Sequence, residues 1–244
     1  MRPSAGEAPD PGSGYSRSGE LQTIVAARSL IGKRSCFIGV GRPSTAAILA
    51  RMVHNPELVL VYESGTIGAK PFRIPLSIGD GELAETADAV VSVPEMLNYW
   101  IQPGRIQVAF LGAAQVDRHA NLNSTVIGDY DAPRTRLPGA GGAPEIATGC
   151  EEVVVIAPHS KRTFVDRLDF RTTTGARTTQ VITDLGVMEP RDGELTLTAL
   201  HPSVTVEQIA DATGWELRVA GALATTAEPS DEELSALREL IARG

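Results

Sequence analysis

One acidic side chain stands where a carboxylate nucleophile would be useful. Leu58-Val-Leu-Val-Tyr62 reads as a short, fully buried strand that breaks into Glu63-Ser64-Gly65, with Gly68 just beyond. Gly65 relaxes the backbone of the turn. Glu63 is therefore offered at the carboxyl end of a strand, the edge of an open α/β sheet where loops converge on a crevice. A glutamate in such a place is commonly just solvated, so the rest of the chain must single it out. The stretch Pro138-Gly-Ala-Gly-Gly-Ala143 is the second chemical feature. Gly139, Gly141 and Gly142 precede a helix-like run from Ala143 to Thr148, which puts exposed amides at a positive helix end, suited to a carbonyl oxygen or an anion. A close-packed turn is the plain alternative.

Other groups are weaker candidates. Gly39-Val-Gly-Arg-Pro-Ser44 begins like a dinucleotide-binding turn, but Ser44 stands where the last glycine belongs and Pro43 removes an amide. A close-packed turn facing the crevice is the better reading, with Gly41 as a substrate-binding position. A lone buried carboxylate tends to take up a proton, so Glu63 needs neighbours that keep it ionised. Arg42, Lys70 and Arg73 are the cations close in sequence, and a guanidinium would equally suit the distal carboxylate of a dicarboxylic substrate. Arg73 is expected to bind substrate. Asp117, His119, Asn121, Asn123 and Asp129 are expected to cap turns around Gly112 and Gly128, except Asn123, a further substrate-binding candidate. His54, His119, His159 and His201 are scattered without ligand spacing, so no catalytic metal is expected.

Apolar periodicity supplies the elements that must position these groups. Leu21 to Ile31 reads as a helix stopped by Gly32, Ser35 to Val40 as a strand, and Ser44 to Val53 as a helix. Ala69 to Ser77, with two prolines, reads as an ordered surface loop able to lid the site. Helical segments are expected over Gly81 to Val91 and Pro94 to Ile101, then a strand over Ile106 to Leu111 with Leu122 to Ile127 as its neighbour. Further strands are expected over Glu152 to Ala157, Gln180 to Asp184 and Glu194 to Leu200, and helices over Thr205 to Thr213 and Ser230 to Ala242. Ser230 and Glu233 form a capping box for the last helix. Met1 to Ser18, rich in Gly, Pro and Ser, is expected to be a disordered leader. Residues 19 to 244 then form a single domain.

Tyr62-Glu-Ser-Gly-Thr-Ile-Gly-Ala-Lys-Pro71 and Pro75-Leu-Ser-Ile-Gly-Asp-Gly-Glu-Leu-Ala-Glu-Thr-Ala-Asp-Ala-Val90 closely resemble the β subunit of class I coenzyme A transferases. So do Gly112 to Tyr130 and Leu137 to Ala147, and the likeness runs from about Leu21 to the C-terminus. Within that family the chain looks most like the 3-oxoadipate and glutaconate enzymes. The resemblance implies an open, mostly parallel α/β sheet flanked by helices, of the CoA-transferase type. It implies that Glu63 attacks an acyl-CoA, with succinyl-CoA as donor and 3-oxoadipate as acceptor, and carries CoA as a glutamyl thioester. It gives Gly139, Gly141 and Gly142 the task of holding the thioester and its oxyanion. Coenzyme A is then a co-substrate, with no permanently bound cofactor. The family pairs α and β subunits, so an α-subunit partner is expected, with αβ units assembled into a dimer of heterodimers. The alternatives are a glutaconate-type transferase, a same-fold decarboxylase or hydrolase, and a non-catalytic ligand-sensing module. Between Arg171 and Gln180 the chain departs from the family it resembles, several members of which carry a longer Gly-rich insertion there.

Composition narrows the field. The 244 residues can bury a sizeable core. A net charge of −8 without a basic cluster argues against a nucleic-acid surface. No apolar run approaches the roughly 20 residues that span a bilayer, and the N-terminus has no signal-peptide h-region. Cys36 and Cys150 show neither metal nor redox spacing, which fits a reducing cytoplasm without disulfides.

Overall fold

In the computed structural model the described residues are 17–244, so the expected leader lies outside them except for Arg17 and Ser18, which already belong to the first helix. The chain runs α1 (Arg17–Arg28), β1 (Ser35–Ile38), α2 (Arg42–Val53), β2 (Val59–Tyr62), β3 (Thr66–Ile67), α3 (Gly81–Glu85), β4 (Ala89–Val90), α4 (Val93–Glu95) and a π-helix (Met96–Ile101). It continues β5 (Val108–Leu111), β6 (Gln115–Val116), β7 (Leu122–Asn123), β8 (Val126–Gly128), β9 (Pro133–Arg136), α5 (Ala143–Gly149), β10 (Glu152–Ile156) and β11 (Thr178–Ile182). Last come β12 (Gly186–Arg191), β13 (Glu194–Leu200), α6 (Val206–Ala212), β14 (Arg218–Thr225) and α7 (Asp231–Ala242).

A ten-stranded sheet in the order β14-β13-β12-β11-β10-β5-β1-β2-β3-β4 organises the molecule. Its centre, from β11 to β2, is parallel. Antiparallel neighbours extend it at both ends: β12 and β13 on one side, β3 and β4 on the other. The parallel strands are apolar on both faces because both are covered. Leu60 and Tyr62 face α1, α2 and α7 together with Ile24, Leu49 and Leu237. Val61, between them, faces the opposite layer with Phe37, Ile101 and Ile146, as the two-residue side-chain alternation of a strand requires.

The last helix begins as expected. Ser230 Oγ accepts from the Glu233 amide and the Glu233 carboxylate accepts from the Ser230 amide. Glu233 also ties α7 to α1 through Arg28, at 2.6 Å. Burial raises the Glu233 pKa, but Arg28 and Ser230 outweigh that and hold it at about 2.

Two expectations need correction. The helix expected over Gly81 to Val91 ends at Glu85, because Ala89 and Val90 pair with β3 instead and Val91 N–H donates to Gly65 O at 2.9 Å. Sheet pairing there outweighs local helical periodicity. Leu122 to Ile127 is not a neighbour of β5, which lies between β1 and β10. Asn123 Oδ1 accepts from the amides of Thr125 and Val126, and this bends the chain, so that β7 pairs with β6 and β8 with β9. The segment from Pro94 to Ile101 is helical, but most of it is the wider π form.

Candidate active site

A cleft of about 390 Å³ opens at the carboxyl ends of β2, β1, β5 and β10. Phe37, Phe110, Ile146 and Ile156 give it apolar walls, Glu63 stands within it, and the loop of residues 138–143 closes one side. Glu63 is half-buried, one residue past β2. Its position is enforced from below. Gly65, at φ +101°, donates to Tyr62 O at 2.9 Å, and a Cβ there would lie 1.9 Å from Val91 O. Only glycine fits, so the turn has one shape. Tyr62 is fully buried and its hydroxyl lies 3.0 Å from Ser44 Oγ on α2. Burial pushes the Tyr62 pKa to about 12, so the phenol stays neutral and anchors the strand end. Ser64 Oγ and Thr66 Oγ1 of the same turn are buried with no hydrogen-bond partner among the described residues. Such orphaned groups are costly.

The glycine loop meets the carboxylate. Gly142 N–H donates to Glu63 Oε1 at 3.1 Å. Gly142 is also the N-cap of α5, so this amide lies at the positive end of the helix. A Cβ on Gly142 would fall 2.7 Å from Glu63 Oε1, which makes the absence of a side chain a condition of the contact. Gly139 and Gly141 line the cleft at φ +103° and +50°. The Gly139 amide is spent elsewhere: it donates to Ser124 O at 2.9 Å, while Ser124 Oγ donates back to Gly139 O at 2.9 Å. Gly139 therefore bends and anchors the loop rather than supplying an N–H. Gly39 and Val40, ahead of α2, and Pro43 in its first turn also line the cleft, whereas Gly41, the N-cap at φ +81°, is not among the lining residues. That turn faces the crevice as expected, but it is not close-packed, since a Cβ on Gly39 or Gly41 would meet nothing within 4 Å.

Two expected substrate-binding residues are not brought to the cleft. Arg73 pairs with Asp80 at 2.9 Å and Glu82 at 3.3 Å. Its loop is further held by Arg243, whose guanidinium lies 4.1 Å from the Phe72 ring centre, so the Ala69 to Ser77 segment is fastened to α7 and contributes nothing to the cleft lining. Asn123 is fully buried, and its amide nitrogen donates to Gln115 Oε1 and Val126 O, each at 2.7 Å. It holds the β7–β8 turn against which Gly139 is stapled. Lys70 is paired with Asp88 and bonded to Gly68 O.

Reading the sequence missed Gln22, which is fully buried in α1. Its amide nitrogen donates to Ala157 O at 3.0 Å and Ile182 O at 3.1 Å, and its oxygen accepts from Arg42 Nη1 at 2.5 Å. The one signal was a lone amide among the apolar positions Leu21, Ile24 and Val25 of an amphipathic helix. Ser124 offered none, being one of many hydroxyls in a polar stretch. His159 and His201 are buried in threonine-rich surroundings and no histidine lines the cleft. Among the described residues no group of His, Cys, Asp and Glu is placed to hold a metal ion.

This arrangement can do nucleophilic chemistry: a carboxylate on a rigid strand end, a backbone N–H on its oxygen, and apolar walls that limit water. Known proteins point the same way. The Coenzyme A transferase family matches residues 21–212. A 3-oxoadipate CoA-transferase subunit from Pseudomonas knackmussii is 53% identical, over 95% of this chain and 95% of its own. In three dimensions, the crystal structure of glutaconate coenzyme A-transferase from Acidaminococcus fermentans superposes with a TM-score of 0.86 at 26% identity, covering 93% of this chain and 95% of the other. The decarboxylase AibA/AibB superposes with a TM-score of 0.84 at 28% identity, covering 92% and 94%. A carboxylate and a glycine-loop amide meeting at the sheet edge, a match over most of the chain and a relative identical at half its positions lead to one conclusion: this chain belongs to the Coenzyme A transferase family.

Proposed function

We propose that this chain is the β subunit of an enzyme that moves CoA from succinyl-CoA to 3-oxoadipate, with Glu63 as the covalent carrier. The observation that carries the reading is the 3.1 Å hydrogen bond from Gly142 N–H to Glu63 Oε1 inside an apolar cleft. The choice of acceptor acid rests on the relative from Pseudomonas knackmussii. Glu63 attacks the donor thioester carbonyl and expels CoA thiolate, leaving a mixed anhydride between Glu63 and the donor acid. The thiolate attacks the glutamyl carbonyl, which releases the donor carboxylate and leaves CoA on Glu63. The acceptor carboxylate then reverses both steps. Two covalent half-reactions predict ping-pong kinetics.

The Gly142 N–H already touches the oxygen that becomes the glutamyl carbonyl, so it is set to hold the oxyanion formed when that carbonyl is attacked. One such donor is worth about 3–4 kcal/mol of transition-state stabilisation. A separate α subunit completes the site, and αβ units pair into a dimer of heterodimers in the cytoplasm. The alternative of decarboxylation on this fold has less in its favour, since fold likeness does not separate the chemistries and a carboxylate held by an amide is what acyl transfer uses.

The test is to co-express the chain with its partner subunit, add succinyl-CoA and analyse peptides by mass spectrometry. The peptide holding Glu63 gains CoA, and the adduct is cleaved by hydroxylamine. Glu63→Ala gains none. A Glu63→Ala enzyme exchanging CoA at the normal rate refutes the assignment.

A further inference from the structure

The stretch from Pro138 to Gly141 that closes one side of the cleft has little of its own to hold it in shape. It carries no side chain larger than proline; Pro138, Ala140 and Gly141 are exposed, and Gly139 and Gly141 both stand at positive φ. Such a stretch has many backbone states open to it. Yet the N–H of the next residue, Gly142, sits within hydrogen-bonding distance of Glu63. Among the described residues, two hydrogen bonds tie Pro138 to Gly141 to the body of the fold, and both go to Ser124. Gly139 N–H donates to Ser124 O and Ser124 Oγ donates to Gly139 O, each at 2.9 Å. They hold both polar groups of one residue, which orients the two peptide planes that flank Gly139. Ser124 is itself held. Its N–H donates to Thr172 Oγ1 at 3.0 Å, Thr172 Oγ1 lies 2.7 Å from Thr125 Oγ1, and Asn123 Oδ1 accepts from the amides of Thr125 and Val126. Ser124 is not among the residues lining the cleft, so it acts through the loop and not on a substrate.

Resting on the reading of this cleft as a CoA-transferase site, we propose that Ser124 is a positioning residue for the transfer reaction, its hydroxyl setting the glycine loop so that the Gly142 N–H meets the glutamyl oxygen. The hydroxyl does this at small cost to the fold. Gly139 is half-exposed, so water replaces the lost donor when the hydroxyl is removed, and the bond from Gly139 N–H to the Ser124 carbonyl remains. The fold survives, but the loop keeps only one of its two fixed points. Losing one neutral hydrogen bond changes a population by about fivefold. The rate of CoA loading follows the fraction of molecules in which the Gly142 amide is in place.

The experiment uses the complete enzyme with its partner subunit and follows the loading of CoA onto Glu63 from succinyl-CoA, with a thermal melt beside it. Ser124→Ala lowers the maximal loading rate about fivefold, with KM for succinyl-CoA and Tm close to native. Ser124→Thr, which keeps the hydroxyl, loads within about twofold of native. In a Gly142→Ala background, where the contact with Glu63 is already lost, adding Ser124→Ala lowers the rate by less than about twofold more, the non-additivity of two residues acting through one contact. If Ser124→Ala does not fold, Ser124→Cys, close to serine in size but a weak donor, takes its place. An unchanged loading rate overturns the proposal. So does the full loss repeated in the Gly142→Ala background, which would mean that Ser124 acts by a route other than this amide. A loss matched by an equal fall in the folded fraction also overturns it and leaves Ser124 a scaffold residue. Failure of the wild-type enzyme to form the thioester would instead remove the proposed function itself.

Discussion

Replacing Gly142 by alanine separates the chemistry of the site from its folding. The residue sits at φ −84° and ψ 1°, which alanine adopts without strain. Its new methyl group would stand 2.7 Å from Glu63 Oε1 and 3.3 Å from Ile146 Cδ1. The first contact falls about 0.7 Å or more inside normal van der Waals separation, and it is relieved most cheaply by swinging the carboxylate away. The Gly142 N to Glu63 Oε1 distance, 3.1 Å in the native protein, then grows past the roughly 3.5 Å at which a hydrogen bond is lost. Losing one preorganised oxyanion donor costs about 10²–10³ in kcat. Fold stability should change by no more than about 1 kcal/mol, since the backbone is compatible and alanine restricts the unfolded chain. The assay combines steady-state CoA exchange by the assembled enzyme, the rate of CoA loading on Glu63, and a thermal melt. The expected outcome is a fall in kcat and in loading rate with KM and Tm close to native. Native loading by Gly142→Ala would refute the idea that this amide acts on the glutamyl oxygen, and a collapse of Tm would mean that the loop is structural first.

Two further outcomes follow from the same geometry. Gly65→Ala meets Val91 O at 1.9 Å from a backbone held at φ +101°, so it is expected to lower unfolding free energy by about 3 kcal/mol or more, read from chemical denaturation; a native midpoint would mean that the Glu63 turn is more plastic than described. His159 lies between Thr183 Oγ1 and Thr213 Oγ1 at 3.2 and 3.0 Å and stacks on Phe164 at 4.0 Å. Burial lowers its pKa to about 4, against a partly opposing effect of Asp184. The folded state prefers the neutral ring, so the contribution of His159 is complete above the unfolded pKa near 6.5 and is lost as pH falls through 4. At about 1.4 kcal/mol per pH unit, acidification from pH 7 to pH 4 should remove about 2–3 kcal/mol, and His159→Gln should flatten that slope in denaturation midpoints. An equal slope in the variant would assign the acid sensitivity elsewhere.

Much of this protein is legible in its sequence, where the information is local. The strand ending in Glu63, the glycine turn after it, the helix preceded by Gly139 to Gly142 and the Ser230–Glu233 capping box all depend on neighbours a few residues apart, whose backbone preferences act over the same distance. Parallel strands buried on both faces announce themselves as apolar runs. Where reading failed, a distant partner had outweighed a local preference. Ala89 and Val90 left a helical pattern to pair with Thr66 and Ile67. Asn123 and Arg73, read as ligand groups, stand outside the cleft lining with their side chains bonded to Gln115 and to Asp80 and Glu82. Residue types and their spacing therefore determined that a carboxylate and a row of bare amides exist. Only the sheet order, which puts β2 beside β1 and then β5 and β10, decided that Gly142, far from Glu63 along the chain, donates its N–H to the Glu63 carboxylate. The reason is physical: backbone propensity is felt over a turn or two, whereas a hydrogen bond between remote segments exists only once the core between them has packed.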